Sequence, residues 1–88
     1  MTEKQMLKLE DKKIKFIFRV HRYDVKSEVI EGILKSELTT IYIMRDNILK
    51  PYNHYDFWIM GDKRADLIQW NQLKNISNLE VIENEKIN

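Results

Sequence analysis

SEVIEGILKSELTTIYIMR, residues 27 to 45, decides the fold of this chain. If its first half is a helix, Asp24 caps it and Val25, Val29, Ile30, Ile33 and Leu34 form an apolar stripe at helical spacing, which predicts a four-stranded α+β sandwich. If it is a strand, Ile30, Gly32 and Leu34 share one face and Val29, Glu31 and Ile33 the other, with Gly32 at a sharp bend, which predicts a small β-barrel. The strand is the better reading. The many β-branched residues, the interior glycine and the short connection to TTIYIM all argue against a helix. Leu38 to Arg45 is a strand either way, with Ile41 and Ile43 on one side and Tyr42 and Met44 on the other.

Upstream, IKFIFRVH (residues 14 to 21) is the clearest strand. Ile14, Phe16, Phe18 and Val20 alternate toward a core, which turns Lys15, Arg19 and His21 toward water or a partner. EKQMLKLEDK (3 to 12) reads either as one or two turns of helix capped by Thr2, with Glu3 in its first turn and Met6, Leu7 and Leu9 against the body, or as a hairpin strand turning at Glu10 and Asp11.

Downstream, DNILKPYNH (46 to 54) holds the only proline and, with Asn47 and Asn53, reads as the longest loop. YDFWIM (55 to 60) is a strand apolar on both faces, hence expected to be central or covered twice, and Gly61 and Asp62 turn the chain. On a helical wheel Ala65, Leu67, Ile68, Trp70, Leu73 and Ile76 scatter round the whole circumference, so residues 64 to 76 divide into a strand ADLIQ and one tight turn WNQLKNI. An α+β sandwich needs a second helix there, and its absence favours the barrel. LEVIE (79 to 83) is the last strand and NEKIN (84 to 88) a frayed tail. The expectation is a mainly β domain over residues 1 to 88, a strongly bent barrel of five to six strands. It carries a short helical extension at 1 to 12 and one short turn of helix before the last strand.

The composition narrows the function. An 88-residue chain forms one domain that buries about 60–65% of its unfolded surface. Without cysteine it has neither disulfides nor thiolate metal sites, which suits the cytoplasm. Its apolar runs are short and TEKQMLKLEDKK is charged, so neither a membrane span nor a signal peptide is expected. Fifteen basic residues against fourteen acidic ones leave a net charge of +1, without the basic excess of a dedicated nucleic-acid binder.

Catalytic machinery is hard to assemble from these residues. The serines lie in no nucleophile elbow, there is no glycine-rich phosphate loop, and His21 and His54 lie in different elements without ligand spacing. His54 and Asp56 are expected to point apart and to be solvated separately. No catalytic residue, metal or cofactor is therefore assigned. Aromatic and basic residues in and around the proline-containing segment suggest a protein-binding surface made by Arg45, Tyr52, His54 and Trp58, with Tyr42 exposed if Ile41 and Ile43 face inward.

The order of a short helix, IKFIFRVH, a bent glycine-containing strand EVIEGILK and TTIYIMR resembles the Sm-like small barrels, among them the bacterial host-factor proteins that form rings on RNA. The resemblance spans residues 14 to 45 and, loosely, LIQWNQLKNIS. It implies a barrel, a homo-oligomeric ring and RNA as a second class of partner, with Lys15, Arg19, His21 and Lys74 available to phosphates. Where that family carries an aspartate and an asparagine after the bent strand, this chain has Ser36, Glu37 and Leu38, so no family residue is carried over. The helical alternative, βαββαβ, resembles ferredoxin-like regulatory modules such as ACT domains and implies a ligand-responsive domain, though HRYDVK lacks their glycine-rich loop.

Overall fold

The computed structural model describes residues 1–19 and 26–82. The expectations for Val20, His21, Asp24, Val25 and the tail lie outside them. The elements are α1 (Glu3–Leu7), β1 (Lys13–Arg19), β2 (Ser27–Arg45), β3 (Ile48–Met60), β4 (Ala65–Ile68), a 3₁₀ helix (Trp70–Asn75) and β5 (Ile76–Val81). All strands pair antiparallel in one sheet of order β4-β3-β2-β1-β5.

The stretch that decides the fold is thus a single strand of 19 residues, and the ferredoxin-like alternative fails at its first helix. Ile30, Gly32 and Leu34 face the core as expected, opposite Ile14, Phe16 and Ile59. Gly32 is required by a close approach: a Cβ there would lie 2.6 Å from the carbonyl carbon and oxygen of Met60 and 2.8 Å from the Gly61 nitrogen. The turn after β3 therefore packs directly on the backbone of β2.

Among the described residues the hydrophobic core lies on one side of the sheet. Met6 from α1 and Leu73 from the 3₁₀ helix join Ile14, Phe16, Phe18, Ile30, Leu34, Phe57, Ile59, Ile68 and Ile76 in a single cluster. Thr2 caps α1 through a reciprocal capping box with Gln5. A five-residue helix does not hold alone in water, and here full burial of Met6 contributes about 1.5–3 kcal/mol. In the 3₁₀ helix Leu73 is turned to the core side, where Ile76, three residues on and the first of β5, joins it.

The expected barrel is not closed. β4 and β5 are opposite edges of the sheet and do not pair. The 3₁₀ helix joins them in sequence and touches both β3 and β5. YDFWIM is central as expected, paired with β2 on one edge and β4 on the other, but its faces differ: Phe57 and Ile59 are buried, Trp58 is half-buried and Met60 is exposed.

The largest departure is residues 46–54, which are not a loop. Asp46 and Asn47 have φ of 51° and 62°, the left-handed pair of a two-residue hairpin turn, and β3 starts at Ile48 opposite Arg45. The register then makes Arg45 and Ile48 a hydrogen-bonded pair and Tyr42 and Pro51 a non-bonded one. Pro51 therefore directs its donorless nitrogen away from β2, which is how a proline is accommodated in this strand.

Candidate functional site: a projecting β-arm

β1 pairs with β2 only as far as Ile33, and β4 pairs with β3 only as far as Phe57. Beyond those points Glu37 to Arg45 and Ile48 to Asp56 continue as a two-stranded ribbon, about 30 Å long at 3.3 Å per residue. This arm accounts for the elongation of the molecule, 58 × 35 × 22 Å.

A layer of side chains fastens the arm at its root. The Glu10 carboxylate accepts the Ser36 backbone N–H, at 3.0 and 3.1 Å to its two oxygens, and the Ser36 hydroxyl as well. Lys35 donates to Asp11, which raises the Lys35 pKa above its ordinary value. His54 stacks on Trp70, ring centroids 4.2 Å apart and 13° from parallel, while its Nδ1 lies 3.1 Å from the Glu3 carboxylate. Asp56 accepts the Thr39 hydroxyl at 3.2 Å and approaches the Trp70 backbone N–H at 3.4 Å. The Trp58 indole N–H donates to Glu37 at 2.9 Å.

Past this layer the arm is apolar on both faces. On the face continuous with the core, Leu38, Tyr42, Met44 and Leu49 are each more than half exposed, Tyr42 the most at 64%. On the opposite face Ile43 and Ile48 are exposed, with Tyr52 half-buried among them. Folded monomers seldom show so many large apolar side chains side by side.

Alternation along β2 and β3 places all four expected partner-binding residues, Arg45, Tyr52, His54 and Trp58, on this opposite face. They divide between two environments. Arg45 and Tyr52 lie on the arm itself, while His54 and Trp58 are half-buried at its root and engaged with Glu3, Trp70 and Glu37. The expectation that His54 and Asp56 point apart is corrected, because residues two apart in a strand share a face and both reach Trp70. They do not pair with each other: one turns to Glu3, the other to Thr39.

The second set comes together in part, with His21 outside the described residues. Arg19 and Lys74 line one shallow depression with Ile17, Ser27 and Ser77. Lys15 stands between Glu31 of β2 and Glu80 of β5, its partners in the ladder, so its charge is locally balanced.

The sequence reading missed Leu38, Met44, Ile48 and Leu49. Their signal was the alternation on both sides of Asp46-Asn47, had that dipeptide been taken as a hairpin turn. Among the described residues no three His, Cys, Asp or Glu side chains converge as a metal site requires, and no helix is long and apolar enough to cross a membrane. No family model, curated protein or solved structure matches this chain.

Proposed function

We propose that this chain is a non-enzymatic protein-interaction module whose working part is the β2–β3 arm. The observation that carries the reading is the projecting ribbon with Leu38, Tyr42, Met44, Ile48 and Leu49 exposed and Arg45 at its tip. Tyrosine, methionine and arginine are the residues enriched at protein interfaces, and a few such anchors carry most of the binding energy. The root layer holds the ribbon in one orientation, which lowers the ordering cost of association. On this reading Arg45 and Tyr52 contact the partner, while His54 and Trp58 hold the face that presents them.

The test is affinity capture with the wild-type chain and with Tyr42→Ser combined with Met44→Ser. Both side chains are exposed on the arm, so the fold is kept, and loss of an anchor weakens binding by about 30-fold or more. Retention of the same partner at wild-type strength would overturn the reading.

RNA binding is the second reading, favoured by the meeting of Arg19 and Lys74 at one depression. It is the weaker one, since Glu31 and Glu80 flank Lys15 and the Sm-like ring rests on strand order alone. Filter binding to RNA pools at low salt decides it: phosphate contacts give an affinity that falls steeply as salt rises, and no binding at low salt ends the idea.

A further inference from the structure

The two long edges of the arm differ in their hydrogen-bonding capacity. The two-residue turn makes Arg45 and Ile48 a bonded pair, so odd-numbered residues of β2 direct their N–H and C=O groups to β3 and even-numbered ones direct theirs outward. The contacts nearer the body agree. Leu34 donates to the Lys12 carbonyl at 3.0 Å and accepts from the Asp11 N–H at 2.8 Å, and the Ser36 N–H goes to Glu10. Past Ser36 the outward groups belong to Leu38, Thr40, Tyr42 and Met44, and among the described residues nothing pairs with them. The outward edge of β3 is interrupted by Pro51, a common way of blunting an edge strand, whereas the edge of β2 has no such interruption.

We infer that the free edge of β2 pairs antiparallel with the same edge of a second copy of this chain, about a twofold axis at Ile41. Outward groups must face outward groups, so only registers in which even-numbered residues oppose even-numbered ones are allowed. Among these, the register centred on Ile41 sets Leu38 opposite Met44, Thr40 opposite Tyr42, and Glu37 opposite Arg45. Each of the four outward residues then finds a partner for both its N–H and its C=O. The charge match occurs twice by symmetry, Glu37 of each copy facing Arg45 of the other. Centring on Thr40 would instead oppose Lys35 and Arg45, and centring on Tyr42 leaves Arg45 opposite Thr39. Opposite charges directly across a ladder are favourable and like charges are not. The register also fits the available length: the partner's turn at Asp46 arrives opposite Ser36, where Glu10 already closes the edge.

The resulting sheet runs continuously through both copies, and its core-side face joins Tyr42, Met44 and Leu38 of one copy to the same residues of the other. A twofold pairing of this kind closes on itself and leaves no further edge of β2 to extend. Its backbone bonds come from the strand edge and leave the apolar side chains on the faces, so it can be tested separately from the partner-binding reading although Arg45 belongs to both. A monomer that still captures a protein partner would overturn this inference alone, and a dimer that captures none would overturn that reading alone.

Sedimentation velocity over a concentration series of the full chain tests it, with far-UV circular dichroism confirming that each variant is folded. The wild type is expected to reach twice the monomer mass at high concentration. Arg45→Glu, at the exposed tip, should return it to the monomer mass, and Arg45→Glu with Glu37→Arg should restore the dimer. Thr40→Pro removes an outward donor without touching the inner ladder and should also give monomer. A wild type that stays monomeric at every concentration, leaving the edge to a strand of another protein, overturns the inference. So does a dimer or larger ring whose mass is unchanged by Arg45→Glu and Thr40→Pro.

Discussion

The carboxylate of Glu10 accepts the backbone N–H of Ser36 at the point where β2 leaves the body of the protein. The contact does what the next residue of β1 would have done, so the ladder ends on a side chain instead of an open donor. It also marks the root of the arm: residues before Ser36 are held by neighbouring strands, and residues after it by the hairpin alone.

Replacing Glu10 with alanine leaves that part-buried donor without its partner. A charge-assisted bond of this kind contributes about 1.5–3 kcal/mol. Urea unfolding of Glu10→Ala should show a lower midpoint with an unchanged slope, since no additional surface is exposed. A midpoint equal to that of the wild type would mean that the donor is satisfied by water.

Gly32 meets only backbone atoms of Met60 and Gly61, none of which can swing aside as a side chain end would. Gly32→Ala should therefore cost toward the upper end of the about 1–3 kcal/mol typical of overpacking. Gly61→Ala, whose Cβ would lie 3.0 Å from the Glu31 carbonyl oxygen and 3.1 Å from that of Arg64, should cost less. Thermal unfolding of the two variants side by side gives the order, and equal melting temperatures would contradict the close approach.

Glu3, His54 and Trp70 connect α1, β3 and the 3₁₀ helix through one imidazole ring. His54→Ala should lower stability by about 0.5–1.5 kcal/mol for the lost stack and should change the near-ultraviolet circular dichroism of Trp70 in a Trp58→Phe background. Residues acting through one ring are coupled, so Glu3→Ala and His54→Ala together should cost less than the sum of the two single changes. Strict additivity would show that Glu3 and His54 act separately.

Much of the body was legible in the sequence. The alternation of Ile14, Phe16 and Phe18, the Thr2 cap, the division of residues 64 to 76 into strand and 3₁₀ turn, and the strand reading of residues 27 to 35 all reappear in the structure. These features rest on local period and local chemistry. Two things were not legible for the same reason: they depend on register. Pro51 argued for a loop because a proline breaks a central strand, and only the counting from Asp46-Asn47 shows that its nitrogen faces away from the ladder. Barrel closure depends on β4 pairing with β5, and these two strands, joined in sequence by the six-residue 3₁₀ helix, are opposite edges of the sheet instead. The candidate site followed suit. Arg45, Tyr52, His54 and Trp58 do share a face, but a loop over residues 46–54 hides Ile48 and Leu49, and without the second strand of the arm nothing marks Leu38 and Met44 as part of a projecting surface.

Site-resolved amide hydrogen exchange along residues 37 to 45, at low and at high protein concentration, reads both the arm and its pairing. A dilute sample should show alternation, with Thr39, Ile41 and Ile43 protected by β3 while Leu38, Thr40, Tyr42 and Met44 exchange rapidly. At high concentration the second group should become protected as well. Rapid exchange at every one of these positions would contradict the arm, and rapid exchange of the even-numbered group at all concentrations would contradict its pairing with a second copy.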